Sequence, residues 1–253
     1  MLKTRQRKKI AENWRSARKR FLFLDYDGTL TPIVSTPDKA VLPKENREIL
    51  EEIAGKKDTV TSIVSGRMLE EIKRLVSLEN IYYVGDHGLN ITGPSFNWTH
   101  PKASEAAEEV RGAEKRLTEK LAHIEGVLIE DKKTSLVVHY RNAADKENQI
   151  RQVFEEVACQ AVNLKKQENK KTLELVLAED WGKAEAMKKI LEKENYLDGD
   201  FILYAGDDNT DEKAFPKLPE EAHTFAINRP QTSAKYMIDT IEELRDLLGK
   251  LSE

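Results

Sequence analysis

The chain has 253 residues, 34% of them charged, with a net charge of −4 and a sequence pI near 5.9. That length suits one domain with a substantial insertion or two modest domains, and the charge excludes nucleic-acid binding as a main task, which needs a large positive field. One cysteine, Cys159, excludes an intramolecular disulfide and a cysteine-based zinc site; no apolar run nears membrane-spanning length, so a soluble protein of the cytoplasm is expected.

The opening twenty residues carry nine basic side chains against one acid, Glu12. Ile10, Trp14 and Ala17 recur at helical spacing, which predicts a solvated helix docked by one stripe on the core. The same charge would also suit an acidic partner or an anionic membrane surface. FLFLD, residues 21–25, is an apolar run ending at an acid, the pattern of a buried parallel strand opening into a loop. A helix over 44–54, a strand over 59–65, a helix over 68–76 and a strand over 81–85 follow. Strands alternating with helices predict a parallel, Rossmann-like sheet flanked by helices.

After His87 the pattern changes. A charged helix over about 103–123 leads to strand-like runs at 126–130 and 135–140, a helix over about 146–161 and a strand at 172–178. This is a compact α+β unit with a one-sided sheet. Cys159 falls on the apolar side of the second of these helices, which predicts a buried structural thiol. From Lys183 the core pattern returns: a helix to Glu194, strands at 201–206 and 224–227, and a closing helix from Ile241. The expected layout is an α/β core over 1–90 and 179–253 with an α+β cap inserted over 91–178.

The chemistry sits at strand ends, where open α/β sheets place their sites. Asp25 and Asp27 lie two apart and would share a side in extended geometry. Like charges about 4 Å apart cost roughly 4 kcal/mol at an effective dielectric near 20, so a counter-ion or shared proton is required. Asp207, Asp208 and Asp211 follow a second apolar strand, and parallel neighbours would bring five carboxylates to one edge. Such a cluster suits a hard divalent cation with oxygen ligands, best Mg2+. One aspartate then attacks phosphorus while another handles protons. The alternative is two acidic loops that cap helices and turns. Ser65, Gly66 and Arg67 close the second strand as a candidate phosphate site. Lys183 opens a helix, where a cation is unfavourable, which suggests a charge-neutralising task.

DYDGT, the strand-ending serine, the helix-opening lysine and GDDNTD resemble, in order, the four motifs of haloacid dehalogenase-type phosphatases. The resemblance implies that Asp25 takes up the phosphoryl group, Asp27 is the acid and base, and Ser65 and Lys183 hold the phosphate. It also implies that Asp25, the Asp27 carbonyl and Asp207 bind magnesium, with Asp208 and Asp211 in or near its water shell. LDYDGTLTPI, VSGR, GDHG, IEDKKTSLVVHYRNA, LELV and AGDDNTDE are more closely similar to the trehalose-6-phosphate phosphatases, whose inserted cap is of the C2 type. This implies hydrolysis of a sugar phosphate, trehalose 6-phosphate, to trehalose and inorganic phosphate in trehalose biosynthesis. Glu130, Lys132, Lys133, His139 and Arg141 would then share a polar strand face, with Glu174 on the third strand and His87 at the mouth.

Without the resemblance, that face reads as plain solvation and His87 as a core histidine. Trp98 reads as packing. The third motif departs from the family, with Trp-Gly before Lys183 and Ala184 after it. The basic leader resembles the segment that joins a synthase domain to such phosphatases, which leaves open whether the chain works alone or beside a trehalose-phosphate synthase as partner. Sucrose phosphate or a mannosyl or glucosyl phosphoglycerate is the alternative substrate, and a non-catalytic sugar-phosphate sensor the alternative function.

Overall fold

The computed structural model describes residues 4–34, 40–94, 96–169 and 171–253, which divide into one unit of Met1–Trp98 with Gly182–Glu253 and another of Thr99–Trp181. In chain order the strands are β1 (Arg20–Leu24), β2 (Thr59–Val64), β3 (Tyr82–Gly85), β4 (Asn90–Gly93), β5 (Phe96–Thr99), β6 (Leu128–Asp131), β7 (Leu136–His139), β8 (Leu164–Asn169), β9 (Thr172–Leu177), β10 (Phe201–Gly206), β11 (His223–Ile227) and β12 (Tyr236–Ile238). The helices are α1 (Thr4–Ser16), α2 (Lys44–Ala54), α3 (Leu69–Val76), α4 (Ala103–Leu121), α5 (Glu147–Ala158), α6 (Lys183–Lys193), α7 (Asn209–Ala214) and α8 (Ile241–Ser252).

The first unit is built on a sheet of order β12-β11-β10-β1-β2-β3-β4-β5, parallel from β12 through β3 and antiparallel at β3-β4. Strand alternation divides its side chains between two layers. Leu22 and Leu24 join Leu50, Ile72 and Leu247 from the helices on one face, whereas Phe21 and Phe23 join Met187 and Ile190 of α6 on the other. Burial on both faces explains why β1 reads as an uninterrupted apolar run. The basic helix α1 docks through Ile10, Ala11 and Trp14, whose ring meets Phe201 edge-on at 5.3 Å. Arg7 and Arg15 pair with Glu243 and Glu253, so part of its charge is spent within the unit, and Arg18 just beyond the helix pairs with Asp200.

The second unit is an antiparallel sheet of order β6-β7-β9-β8. In β9, Leu173, Leu175 and Leu177 are buried while Glu174 between them lies on the other face. The buried stripes Ala106, Val110, Ala113, Leu117 of α4 and Ile150, Phe154, Val157 of α5 recur every three or four residues, as burying one helix face requires. Each fully buried Leu, Ile or Phe contributes about 1.5–3 kcal/mol.

Three expectations are corrected. The core does not end at residue 90, because β4 and β5 extend its sheet; the division falls between Trp98 and Thr99, and on return between Trp181 and Gly182. The second unit has a fourth strand, β8, whose sequence LKKQEN has no apolar alternation; it is an edge strand, where lysines are favoured. Cys159 is exposed. It caps the end of α5, nine residues beyond Ile150, and at about 100° per residue that is the opposite side of the helix. Trp98 is partly buried against the α6 side of the core, with Lys189 Nζ 5.7 Å from its ring centre. Among the described residues, no helix is long and apolar enough to cross a membrane.

Candidate active site

β1 is flanked by β10 and β2 in parallel register, Leu24 opposite Ala205 and Ile63. The residues that follow these three strands therefore emerge along one edge: Asp25 after β1, Ser65 after β2, and Asp207 and Asp208 after β10. Asp25 is buried, and its amide donates to the Ala205 carbonyl at 2.9 Å. Lys183, first residue of α6, is 3% exposed and donates at 2.7 Å to both Asp25 Oδ1 and Asp211 Oδ1. Its ill-suited place at a helix start is thus explained by two carboxylates. Burial works against its charge, but Asp211 and Asp25 outweigh burial and hold it protonated.

Asp211 is fully buried and saturated with donors. Oδ1 accepts from Lys183 and the Tyr204 hydroxyl, and Oδ2 from the amides of Asp207 at 2.9 Å and Asp208 at 3.0 Å. Asp208 caps α7, its Oδ1 accepting from the amides of Thr210 and Asp211 at 2.7 and 3.0 Å. Burial alone would raise the Asp208 carboxyl; Lys183 and these donors overcome it and hold it well below the usual range. Two glycines make the packing possible. A Cβ on Gly28, at φ +82°, would lie 2.2 Å from Asp207 Oδ2, and one on Gly206 would lie 2.2 Å from Asp211 Cγ.

Asp25, Asp207 and Asp211 each place a carboxylate oxygen within 4.8 Å of the others, a buried acidic group able to hold a metal ion. Because the oxygens of Asp211 are engaged by four donors, Asp25 and Asp207 are the fitting ligands and Asp211 is their scaffold. The electrostatics agree. Burial pushes Asp25 well up, Lys183 opposes it, and Asp211, Asp208 and Asp207 add to the rise. Asp207 is pushed up to about 7 by burial and by Asp211 and Asp208. One ammonium does not balance this many carboxylates; a hard cation with oxygen ligands would.

Asp27 does not join this cluster as expected. Past Leu24 the chain leaves strand geometry, so the expected strand alternation no longer applies to residues 25 and 27. Arg67 grips Asp27 instead, Nε to Oδ2 at 2.6 Å and Nη2 to Oδ1 at 2.7 Å. Ser65 is buried, and its hydroxyl accepts the Arg67 amide at 3.1 Å. A Cβ on Gly66 would sit 2.4 Å from His87 Cε1, so the histidine ring lies against that glycine. Asp86, His87 and Gly88 run at φ +53°, +55° and +101°, a strained turn of the kind found at functional sites.

In the second unit, Glu130 meets His139 at 3.0 Å and Lys132 at 3.8 Å, and Glu174 accepts from Gln167 at 3.3 Å and Thr172 at 3.4 Å. Glu130, Val137, Glu174 and Gln167 lie in one cross-strand row. Lys133 and Arg141 do not share that strand face. Lys133 occupies the β6-β7 turn at φ +66°, and Arg141 begins a 3-10 turn after β7. Sequence reasoning missed Tyr204, Gln167, Thr172 and Arg229, which donates to the Asp207 carbonyl at 3.2 Å. A hydroxyl in the apolar run FILYAG was the one available signal, for Tyr204.

Residues 23–242 match the trehalose-phosphatase family model. The chain belongs to the trehalose-phosphatase family. It is 34% identical over 248 residues to the probable trehalose-phosphate phosphatase D of Arabidopsis thaliana, covering 92% of this chain and 67% of that protein; it thus spans about two thirds of that relative. The solved trehalose-6-phosphate phosphatase of Aspergillus fumigatus superposes with a TM-score of 0.71 at 25% identity, covering 97% of each chain. The C-terminal domain of the Candida albicans trehalose-6-phosphate phosphatase reaches 0.78 at 23% identity, covering 97% of this chain and 96% of that one, and supports the fold alone. Membership of the family and these neighbours establish the haloacid dehalogenase fold.

Proposed function

We propose that the chain hydrolyses trehalose 6-phosphate to trehalose and inorganic phosphate, with Asp25 as the nucleophile. The observation that carries this reading is the buried contact of Lys183 with Asp25 at the end of β1, beside Asp207, in a member of this family. Ser65 and Lys183 hold the phosphate. Asp25 Oδ attacks phosphorus as the ester P–O bond breaks, and Asp27 gives its proton to the departing sugar oxygen. Asp27 then takes a proton from water, whose oxygen attacks phosphorus and frees Asp25 and phosphate. Asp25, Asp207 and the Asp27 carbonyl would hold Mg2+, which when bound supplies charge neutralisation to the phosphoryl oxygens.

Glu130, Lys132, His139 and Glu174 are assigned to the sugar, since their polar face carries ion pairs and hydrogen bonds on one side of an otherwise covered sheet. We place the reaction in the cytoplasm, a setting that suits a chain with one cysteine, and regard a trehalose-phosphate synthase as the supplier of the substrate. A panel of sugar phosphates tests the reading. Trehalose 6-phosphate should turn over with the highest kcat/KM; a higher value for sucrose phosphate or a glycosyl phosphoglycerate would reassign the substrate.

A further inference from the structure

The pattern VSGR puts Arg67 beside a phosphate, but its geometry points to another task. We propose that Arg67 is a positioning residue for Asp27, its fork braced by Glu71, rather than a contact to the substrate. This rests on the phosphatase reading above, in which Asp27 moves the protons.

Three N–H groups of Arg67 are directed at carboxylates: Nε and Nη2 at the two oxygens of Asp27, 2.6 and 2.7 Å away, and Nη1 at Glu71. A guanidinium has only five to give. Its plane also lies near the Tyr26 ring, 5.8 Å from the centre. The Arg67 side chain is 11% exposed, against 38% for Asp27, so the fork is the buried member of the pair and the acid the one nearer solvent. The backbone is tethered too: the Arg67 amide donates to Ser65 Oγ at 3.1 Å, and its carbonyl accepts the Asp86 amide at 2.7 Å.

Asp27 stands three residues beyond β1, a strand that ends among other acids. Left alone, its carboxylate would be free to turn about two bonds. A two-pronged guanidinium fixes both oxygens at once, which a lysine ammonium, as a single point, does not. Glu71, one turn along α3 from the Arg67 segment, holds the far nitrogen and so the plane of the fork. Orientation matters because proton transfer to the leaving oxygen depends on alignment within hydrogen-bond reach.

The consequence is readable in the leaving group. The sugar alkoxide needs the proton of Asp27 as the P–O bond breaks, whereas nitrophenolate departs from p-nitrophenyl phosphate without one. We would measure kcat/KM for trehalose 6-phosphate and for p-nitrophenyl phosphate in the wild type, Arg67→Ala, Arg67→Lys, Asp27→Asn and the Asp27→Asn/Arg67→Ala double variant. The ratio of the two values should fall by about tenfold or more in Arg67→Ala, part of the range general acid catalysis supplies. Arg67→Lys should fall with it, since charge without the fork does not orient the acid. In the Asp27→Asn background, Arg67→Ala should leave the ratio unchanged.

An unchanged ratio in the Arg67 variants overturns the proposal, because lost phosphate binding or general loosening affects both esters alike. So does a further fall in the double variant, which would make Arg67 act on the sugar by itself. Should Arg67→Ala fail to fold by circular dichroism, Arg67→Lys and Glu71→Gln decide by the same ratio. Asp27→Asn separates the two layers. If it leaves the ratio unchanged, the role of Asp27 falls and this inference with it; if it lowers the ratio and the Arg67 variants do not, only this inference falls.

Discussion

Lys183 joins two carboxylates, Asp25 and Asp211, that would otherwise be buried side by side. Removing one partner of a buried ion pair leaves uncompensated charge and typically destabilises by about 3–5 kcal/mol. Lys183→Met should therefore lower the urea midpoint by an amount equivalent to that loss, and phosphate release should fall by at least about a hundredfold as a phosphate-holding cation disappears. A stable but inactive variant would mean that the carboxylates take protons instead. At this scale Asp25 and Lys183 were legible because each broke a local rule: acids ending an apolar strand, and a cation opening a helix. Glu71 breaks none, and Tyr204 shows only a hydroxyl in an apolar strand. Their importance arises only when β10 and α3 bring them against Asp211 and Arg67, and no short-range pattern encodes that.

At the scale of elements, the strands buried on both faces and the helices with clear stripes were read correctly, because burial imposes the periodicity that reading detects. α2 has the predicted bounds, Lys44–Ala54. β8 escaped because an edge strand half in water has no need of apolar alternation, and with it went Gln167 and its contact to Glu174. β11 offers a test. His223 begins it, stacked between Phe201 at 4.8 Å and Tyr236 at 6.0 Å, and burial, aided by Lys235 and Lys9, lowers its pKa from 6.5 to about 4. The unfolded histidine takes its proton near 6.5 and the folded one only near 4, so between these values the unfolded state binds more protons. Stability should fall as pH drops from 6.5 toward 4, with no further loss from this group below that. Urea midpoints across this range should vary less in His223→Phe than in the wild type; equal slopes would remove His223 as a cause.

For the whole molecule, the two units carry different sets of polar residues. The unit containing β1 and β10 holds the acids and the lysine, and residues 99–181 hold the polar row of Glu130, Glu174 and Gln167. The order of layers was legible from the switch between alternating strand-helix pattern and paired strands. The division point was not, since the hairpin β4-β5 is half-buried and short. If the second unit reads the sugar, Glu130→Ala should raise KM for trehalose 6-phosphate by about tenfold, roughly 1.4 kcal/mol of binding, while kcat/KM for p-nitrophenyl phosphate stays within about twofold. An unchanged KM for trehalose 6-phosphate would return that face to plain solvation.

Asp25 is the residue on which the proposed reaction depends. Phosphate release from trehalose 6-phosphate, measured with saturating substrate and Mg2+, should drop by about a thousandfold or more in Asp25→Asn, as for other lost nucleophiles. Release at a rate near that of the wild type would show that the nucleophile lies elsewhere.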